Sequence, residues 1–304
     1  MKHVTTSAPG KLMFMGEHAV VYGYPCLVTA VDKRLYVEVE LIDKNDDEFI
    51  TPGVKESRFV LESLAYIRKK FHIQKRVRIK TRGDFSHQVG LGSSSAVTVA
   101  TFKALSSLFQ IKISNNDLFQ MSYEVTLAIQ GVGSGFDIAA ATYGGTLFFV
   151  KGGKVITEVA SEALPLVVGY SGIKADTPFY IRKVAEAFRD RRVEMNLIFS
   201  SIEKLVLYAR KAIEEKKYLE VGASMNENQK LLQKLGVSTK KLDAMINASN
   251  VAGAYGAKLS GAGGGDCMIA LIPEEKRSKI ERAIERVGGE VIRVHNSVGG
   301  VVVE

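Results

Sequence analysis

The sequence contains no tryptophan, only two cysteines and six prolines, and no long apolar run in its 304 residues. Cys26 and Cys267 lie far apart, and two such distant cysteines are more typical of buried thiols than of a disulfide. No stretch approaches the ~18 apolar residues that a membrane-spanning helix needs. Residues 1–9 lack the apolar centre of a signal peptide. These absences lead us to expect a cytoplasmic protein with no membrane partner.

The charge of the chain is basic but scattered. The net charge is +8, and lysines and arginines form only short groups such as 189–192 and 216–217. The sequence has no stripe of basic residues interleaved with aromatic ones, so we interpret the charge as a solvated surface and expect no nucleic-acid partner. The length, with 46% hydrophobic residues, predicts a folded chain of two domains rather than one.

A glycine- and serine-rich stretch, Gly90-Leu91-Gly92-Ser93-Ser94-Ser95-Ala96, precedes a helical pattern at 97–109. Glycine allows a close backbone approach, and the free N–H groups and dipole at a helix start favour an anion such as phosphate. The serine hydroxyls could donate to phosphate, cap the helix or bind magnesium. No lysine follows Gly92 until Lys103, which excludes the common P-loop. Taken alone, the stretch fits a phosphate loop and a serine-capped turn equally well.

A second glycine-rich stretch, at 258–266, precedes an apolar run at 267–272 that predicts a strand. Four of the five residues at 261–265 are glycine. Glycine loses more conformational freedom on folding than any other residue, so such a loop is costly to order. We therefore favour a loop whose backbone approaches a phosphate or a substrate over a plain tight turn.

Two further segments carry polar residues in glycine-rich surroundings. A predicted strand at 2–8 leads into a turn that presents Lys11, and Glu17 and His18 follow within a glycine-bounded hairpin. Although a surface lysine and a buried histidine are the ordinary interpretations, the grouping favours the wall of a polar pocket. The segment Ser134-Gly135-Phe136-Asp137 fits a helix capping box, but a carboxylate there could also take a proton from a substrate hydroxyl. The spacing alone leaves capping and catalysis equally open for Asp137.

Apolar periodicity outlines the remaining elements and places a domain boundary within 160–165. Strands are predicted at 35–42, 77–81, 145–150, 154–159, 166–170, 290–294 and 299–303. Helices are predicted at 55–71, 177–188, 197–213 and 274–287, with a capping box at Ser114–Asp117 opening another.

Taken together, residues 9–23, 90–96 and 258–265 resemble the three motifs of the GHMP kinase superfamily. The resemblance is highly specific and covers nearly the whole chain. It implies an α+β fold of two domains, with the active site between them. Residues 1–162 would form the ATP-binding domain of the ribosomal-protein S5 type, and residues 163–304 a ferredoxin-like domain.

Within the superfamily, residues 16–23 and 225–232 are most similar to the mevalonate kinases, especially the archaeal type. The resemblance implies ATP-dependent phosphorylation of the primary hydroxyl of mevalonate to 5-phosphomevalonate, in the mevalonate route to isoprenoids. Asp137 would act as general base and Lys11 would polarise the hydroxyl, with Mg²⁺ contacted by Ser94. It further implies a possible homodimer.

The resemblance also implies which residues contact the two reactants. ATP would be bound by Val89, Gly90, Leu91, Gly92, Ser93, Ser94, Ser95, Ala96, Gly261, Gly263 and Gly264. The substrate would be bound by Lys11, Glu17, His18, Ser134, Asp137 and Thr177.

Two features depart from the mevalonate kinase pattern. Thr126 occupies the position where those enzymes usually carry a glutamate that binds magnesium, and Glu124 would point to a different face of the helix. Residues 130–141 are similar to phosphomevalonate kinases. Phosphomevalonate kinase therefore stays an alternative, as do the related ATP-dependent decarboxylase and a non-catalytic binding or regulatory member. The presence of both Lys11 and Asp137 argues against the last of these.

Overall fold

The computed structural model of the protein describes residues 2–52, 57–85, 89–160 and 162–304. Its strands are β1 (His3–Met15), β2 (Pro25–Leu41), β3 (Glu48–Ile50), β4 (Val77–Gly83), β5 (Thr146–Val150), β6 (Val155–Ala160), β7 (Leu166–Tyr170), β8 (Gly256–Ser260), β9 (Cys267–Leu271), β10 (Glu290–Ile292) and β11 (Val302–Val303). Its α-helices are α1 (Arg58–Phe71), α2 (Ser93–Leu108), α3 (Asn115–Gln130), α4 (Phe136–Tyr143), α5 (Thr177–Ala187), α6 (Arg192–Glu214), α7 (Tyr218–Lys234), α8 (Lys240–Ala252) and α9 (Arg277–Arg286).

The first lobe is built on a sheet in which β1, β2 and β4 lie side by side, with β11 beside β1 and β3 beside β4. β2 is long enough to pair with β4 through its second half and with β5 through its first half. Helices α1 to α4 share one buried core with these strands, in which Phe102 and Phe119 are fully enclosed. This packing fixes the start of α2 and the start of α4 against the same strand, β1.

The second lobe is a four-stranded antiparallel sheet in the order β10-β7-β9-β8, packed against helices α5 to α9. Its core is continuous with the other face of the first sheet, since Leu12, Phe14 and Leu27 belong to the same buried cluster. Burial of apolar surface across this junction holds the two lobes together. The loops of the second lobe are thereby brought against β1 and the glycine-serine stretch.

The last residues of the chain return to the first lobe. Thr6 and Ser7 of β1 pair with β11, and the Arg34 guanidinium donates to the carbonyls of Gly299 and Gly300 at 3.1 and 2.8 Å. The predicted division assigned 163–304 to the second domain, whereas β11 pairs with β1 of the first lobe. A short apolar strand has the same alternation whichever sheet it joins, so its sequence does not specify the partner.

β1 also differs from its prediction, because it continues through Pro9 to Met15 instead of turning at Lys11. The strand tolerates proline here because the register shifts between Pro9 and Gly10, at a bulge. Lys11 consequently lies within a strand, opposite Ala30. A lysine on a paired strand is held far more firmly than one on an open turn.

Three smaller expectations can be compared with the structure. Both cysteines are free and buried, as predicted. The predicted helix at 55–71 begins at Arg58 in the structure, and its first predicted residues, 55 and 56, lie outside the described residues. In the part of the chain that the structure describes, no helix has the length and apolar character needed to cross a membrane.

Candidate active site

A cavity lies where β1, the start of α2, the turn between α3 and α4, and the loops of the second lobe meet. Ten of the predicted site residues line it: Lys11, His18, Gly90, Gly92, Ser93, Ser94, Ser134, Asp137, Thr177 and Gly261. The three sequence motifs, although separated by up to 250 residues, therefore contribute to a single cavity.

The glycine-serine stretch is tied directly to β1 at Lys11. The Lys11 backbone N–H donates to the carbonyl of Leu91 at 2.8 Å, and the Lys11 ammonium donates to the carbonyl of Gly90 at 3.1 Å. Gly92 has a φ of 78°, and a Cβ on it would lie 2.9 Å from Cγ of Lys11. Only glycine therefore lets the lysine side chain cross the loop at this point.

Helix α2 begins at Ser93, so the serines predicted to precede the helix form its first turn. Ser93 and Ser94 line the cavity. The first turn of a helix carries backbone N–H groups without helical partners and the positive end of the dipole. The start of α2 consequently offers the cavity an anion-binding surface, as a phosphate group requires.

Asp137 lies in the first turn of α4 with its carboxylate at the cavity. The predicted capping box is wrong here, because the N-cap is Gly135 and Ser134 makes no capping hydrogen bond. The carboxylate instead accepts from the Ser95 hydroxyl at 2.5 Å and from the Ile138 N–H at 3.1 Å. The structure therefore excludes the capping box at Ser134–Asp137, and the role of Asp137 as a base stays a prediction. By contrast, the capping box at Ser114–Asp117 is present, as predicted.

Lys11 and Asp137 share the electrostatics of the cavity. The Lys11 side chain is enclosed, and its ammonium lies 5.6 Å from the centre of the Phe136 ring. Burial lowers the pKa of Lys11 from its ordinary value, while the nearby carboxylates of Asp137 and Asp266 act against that shift. The two carboxylates favour the charged ammonium, and in an enclosed site of low dielectric that charge acts on a nearby negative group more strongly than it would in water.

Glu17 is placed behind the wall of the cavity rather than in it. It is fully buried and pairs with Lys258, which is buried as well. His18, next to it, lines the cavity, and its Nε2–H donates to the carbonyl of Ala262 at 2.9 Å. Both residues of the N-terminal motif therefore contact the second glycine-rich stretch, at 258–266, and His18 alone of the two reaches the cavity. Burial lowers the pKa of His18, which favours the neutral ring.

Most residues that line this cavity lie in segments that match known protein families. Residues 58–145 match the family described as "GHMP kinases N terminal domain", and residues 209–290 match "GHMP kinases C terminal". Residues 2–41 match the "Galactokinase galactose-binding signature". The mevalonate kinase of Thermococcus sibiricus is 36% identical over 99% of this chain and 98% of its own length. The chain belongs to the mevalonate kinase family of GHMP kinases.

Solved structures show the fold of this GHMP kinase. The Lin0012 protein from Listeria innocua is similar with a TM-score of 0.90, at 23% identity over 99% of both chains. The mevalonate kinase of L. major, solved in complex with R-mevalonate, has a TM-score of 0.83 at 23% identity, over 96% of this chain and 95% of that one. The predicted superfamily and the two-domain α+β fold are confirmed.

Thr126 is the position at which this mevalonate kinase family member departs from the expected glutamate. Its side chain lines the cavity and is buried, and its hydroxyl has no hydrogen-bond partner among the described residues. Glu124 faces α1 instead, where the Tyr66 hydroxyl donates to its carboxylate at 2.8 Å. Within the described ranges, no three histidine, cysteine or acidic side chains cluster closely enough to bind a metal ion. The described residues therefore contain no cluster of carboxylates arranged to bind magnesium.

Seven predicted site residues do not line the cavity of this GHMP kinase, and some of them contact neighbouring parts of the chain. Two examples are the Val89 carbonyl, which accepts from the Cys267 thiol at 3.0 Å, and the Gly264 N–H, which donates to Val237 at 2.8 Å. The seven residues are Glu17, Val89, Leu91, Ser95, Ala96, Gly263 and Gly264.

Two charged residues at the cavity were missed from the sequence. Asp266 ends the second glycine-rich stretch, accepts from the Ala175 N–H at 3.1 Å, and lies so close to Gly90 that a Cβ there would meet its carboxylate. Lys174 lines the cavity beside it, with its ammonium 3.7 Å from Asp266. Asp266 could have been predicted from one feature of the sequence, its position as a single acidic residue directly after a glycine-rich loop. Lys174 belongs to none of the sequence motifs, so nothing in the sequence indicated its position at the cavity.

Proposed function

We propose that this chain transfers the γ-phosphate of ATP to the primary hydroxyl of mevalonate, forming 5-phosphomevalonate and ADP. The observation that carries the proposal is the meeting of Lys11, Asp137 and the start of α2 at one cavity. It is supported by membership of the mevalonate kinase family over nearly the full length of the chain.

The glycine-serine stretch is the proposed site of the ATP phosphates. The start of α2 supplies N–H groups and a positive dipole end, and Gly90, Gly92 and Gly261 let the backbone come close. Mevalonate would occupy the part of the cavity lined by His18, Ser134 and Thr177. This arrangement brings the hydroxyl and the γ-phosphorus together, and such positioning supplies much of the rate of a phosphoryl transfer.

The chemical step uses Asp137 and Lys11 in distinct roles. Asp137 takes the proton of the mevalonate hydroxyl, whose oxygen forms the new bond to the γ-phosphorus. The bond between that phosphorus and the bridging oxygen breaks, and its electron pair leaves with ADP. The Lys11 ammonium, near the same carboxylate, stabilises the negative charge on the oxygens during the transfer.

Magnesium would be bound chiefly by the nucleotide. Mg²⁺ prefers oxygen ligands, retains several waters, and is commonly held by substrate phosphates with few protein groups. Ser94 and Thr126 line the cavity, and the Thr126 hydroxyl is buried without a partner among the described residues. These residues fit such a cation. When bound, it would neutralise charge on the phosphates.

Phosphomevalonate kinase is a second candidate function, and Lys174 is the observation that favours it. This lysine adds a second ammonium to the cavity, which suits a substrate with both a carboxylate and a phosphate. Mevalonate itself carries a carboxylate, so Lys174 also suits the first candidate. Kinetics on both substrates separate the two, and release of carbon dioxide from the diphosphate would indicate the decarboxylase.

The role of Asp137 is tested by the Asp137→Asn variant. We expect ATP binding to be retained and turnover to fall by roughly 100- to 10,000-fold, because the amide cannot accept the proton. Asp117→Asn is the matched control, since Asp117 is an exposed capping residue that does not line the cavity, and its variant should turn over normally. Near-normal turnover of Asp137→Asn would exclude Asp137 as the base.

Other expectations stay predictions. These are the homodimer, the cytoplasmic location and the absence of a nucleic-acid partner. Sedimentation of the purified protein would measure its oligomeric state.

A further inference from the structure

We infer that Ser95 is a positioning residue for the carboxylate of Asp137 and does not contact the ATP phosphates. The Ser95 hydroxyl donates to Oδ2 of Asp137 at 2.5 Å. This hydrogen bond joins the first turn of α2 to the first turn of α4 across 42 positions of sequence. The inference rests on the proposed function, because it takes Asp137 as the general base.

The three adjacent serines of α2 have different surroundings. Ser93 and Ser94 line the cavity, whereas Ser95 does not line it and has none of its surface exposed. Successive residues of an α-helix are rotated by about 100°, so three in a row cannot all face one ligand. The side of α2 that carries Ser95 faces α4 and the base.

Both carboxylate oxygens of Asp137 are held by a donor. Oδ1 accepts from the N–H of Ile138, which belongs to the same helix turn, and Oδ2 accepts from Ser95. The first donor cannot fix the carboxylate relative to α2, because it moves with α4. The Ser95 hydroxyl is therefore the contact that sets the position of Asp137 relative to the helix start proposed to bind the phosphates.

This link matters because a phosphoryl transfer depends on the distance between the base, the hydroxyl and the γ-phosphorus. Hydrogen bonds to a charged group are shorter and stronger than those between neutral groups. A partly buried, charge-assisted hydrogen bond between α2 and α4 keeps that distance constant. Ser95 would consequently affect the rate of the chemical step and leave the affinity for ATP unchanged.

The test is Ser95→Ala, with kcat and the KM for ATP measured separately. We expect kcat to fall by about 10- to 100-fold, the range expected for loss of a hydrogen bond to a charged group, and the KM for ATP to change by less than about twofold. Ser106→Ala is the matched control. Its serine is buried in the same helix, but its hydroxyl donates to the Lys103 carbonyl at 3.0 Å, so its variant should keep the kcat of the parent.

A double-mutant cycle with Asp137→Asn shows whether Ser95 acts through the base. We expect Ser95→Ala to cause no further loss in the Asp137→Asn background, measured by single turnover. An equal further loss in that background, or a raised KM for ATP with kcat retained, would overturn the inference and return Ser95 to the phosphate site. If Ser95→Ala does not fold, Ser95→Cys fills similar space with a weaker donor, and a smaller fall in kcat is expected under the same cycle.

The two proposals fail in different ways. Near-normal turnover of Asp137→Asn would reject the proposed base, and with it the inference. Loss of turnover in Asp137→Asn, together with parental kcat in Ser95→Ala, would reject the inference alone.

Discussion

The buried pair between Glu17 and Lys258 makes a sharp prediction about stability. Neither side chain has any exposed surface, and the Lys258 ammonium also donates to the carbonyl of Leu259 at 2.5 Å. Lys258→Met would remove the cation and leave a buried carboxylate without its partner. Breaking a buried pair in this way costs about 3–5 kcal/mol, although replacing both partners is often close to neutral. A loss of that size corresponds to a fall in Tm of roughly 6–20 °C.

The same variant should show a characteristic pH dependence. Burial raises the pKa of Glu17 above its ordinary value of 4.5, and the Lys258 ammonium opposes that shift. Without Lys258 the opposition is lost, so the folded variant binds the Glu17 proton more tightly than the unfolded chain does. A carboxyl group whose pKa is raised in the folded state stabilises the fold at pH values below its ordinary pKa, and that stabilisation is lost as the pH rises through the raised pKa. The deficit of Lys258→Met relative to the parent should therefore be small near pH 4.5 and largest at neutral pH.

The assay is urea unfolding followed by circular dichroism at acid and neutral pH, because the chain has no tryptophan to report fluorescence. The double variant Glu17→Gln, Lys258→Met carries no buried charge and should recover most of the loss with no added pH dependence. Lys230→Met, which breaks an exposed pair with Glu227, is a control that should change stability little. A deficit below about 1 kcal/mol, or one equal at both pH values, would refute this reasoning.

Two further predictions concern the cavity. Gly92→Ala should lower kcat/KM by roughly 100-fold, because the added Cβ would displace Lys11, and a displacement of about 1 Å in an active site lowers the rate by that factor. Gly131→Ala is the control. Gly131 has a φ of 72° but no atom within 4 Å of its Cβ, so this variant shares the backbone strain and should keep kcat/KM. A fall that is equal in both variants would assign the effect to strain alone. Lys174→Met should raise the KM for mevalonate by about tenfold with little change in kcat, because the ammonium no longer attracts the carboxylate. Lys204→Met, on the exposed side of α6, is its control, and an unchanged KM in Lys174→Met would exclude this role.

Features contained in a short stretch of sequence were the most predictable. The strand at 166–170 and the start of the helix at Thr177 agree with the structure, because apolar alternation and a Pro-containing first turn are local signals. The three motifs identified the superfamily for the same reason. Lys11 and Gly92 lie within these motifs, and Asp137 lies in a short glycine-rich segment, so local sequence was enough to predict all three as site residues.

Features that depend on distant contacts were not predictable. Glu17 resembles a substrate contact in sequence, and only the proximity of Lys258, 241 positions away, shows why it is buried. Ser95 was grouped with the phosphate loop because its neighbours are serines, whereas its partner lies 42 positions further along. β11 joins the first sheet through pairing with Thr6 and Ser7, which its own composition does not encode. In each case the missing information is a tertiary contact.

The central claim is that the chain phosphorylates mevalonate with ATP at the cavity that contains Lys11 and Asp137. The most direct measurement is ADP release by the purified protein with ATP, magnesium and either mevalonate or phosphomevalonate. We expect turnover of mevalonate to 5-phosphomevalonate, and loss of that turnover in Asp137→Asn. Turnover of phosphomevalonate with none of mevalonate would contradict it.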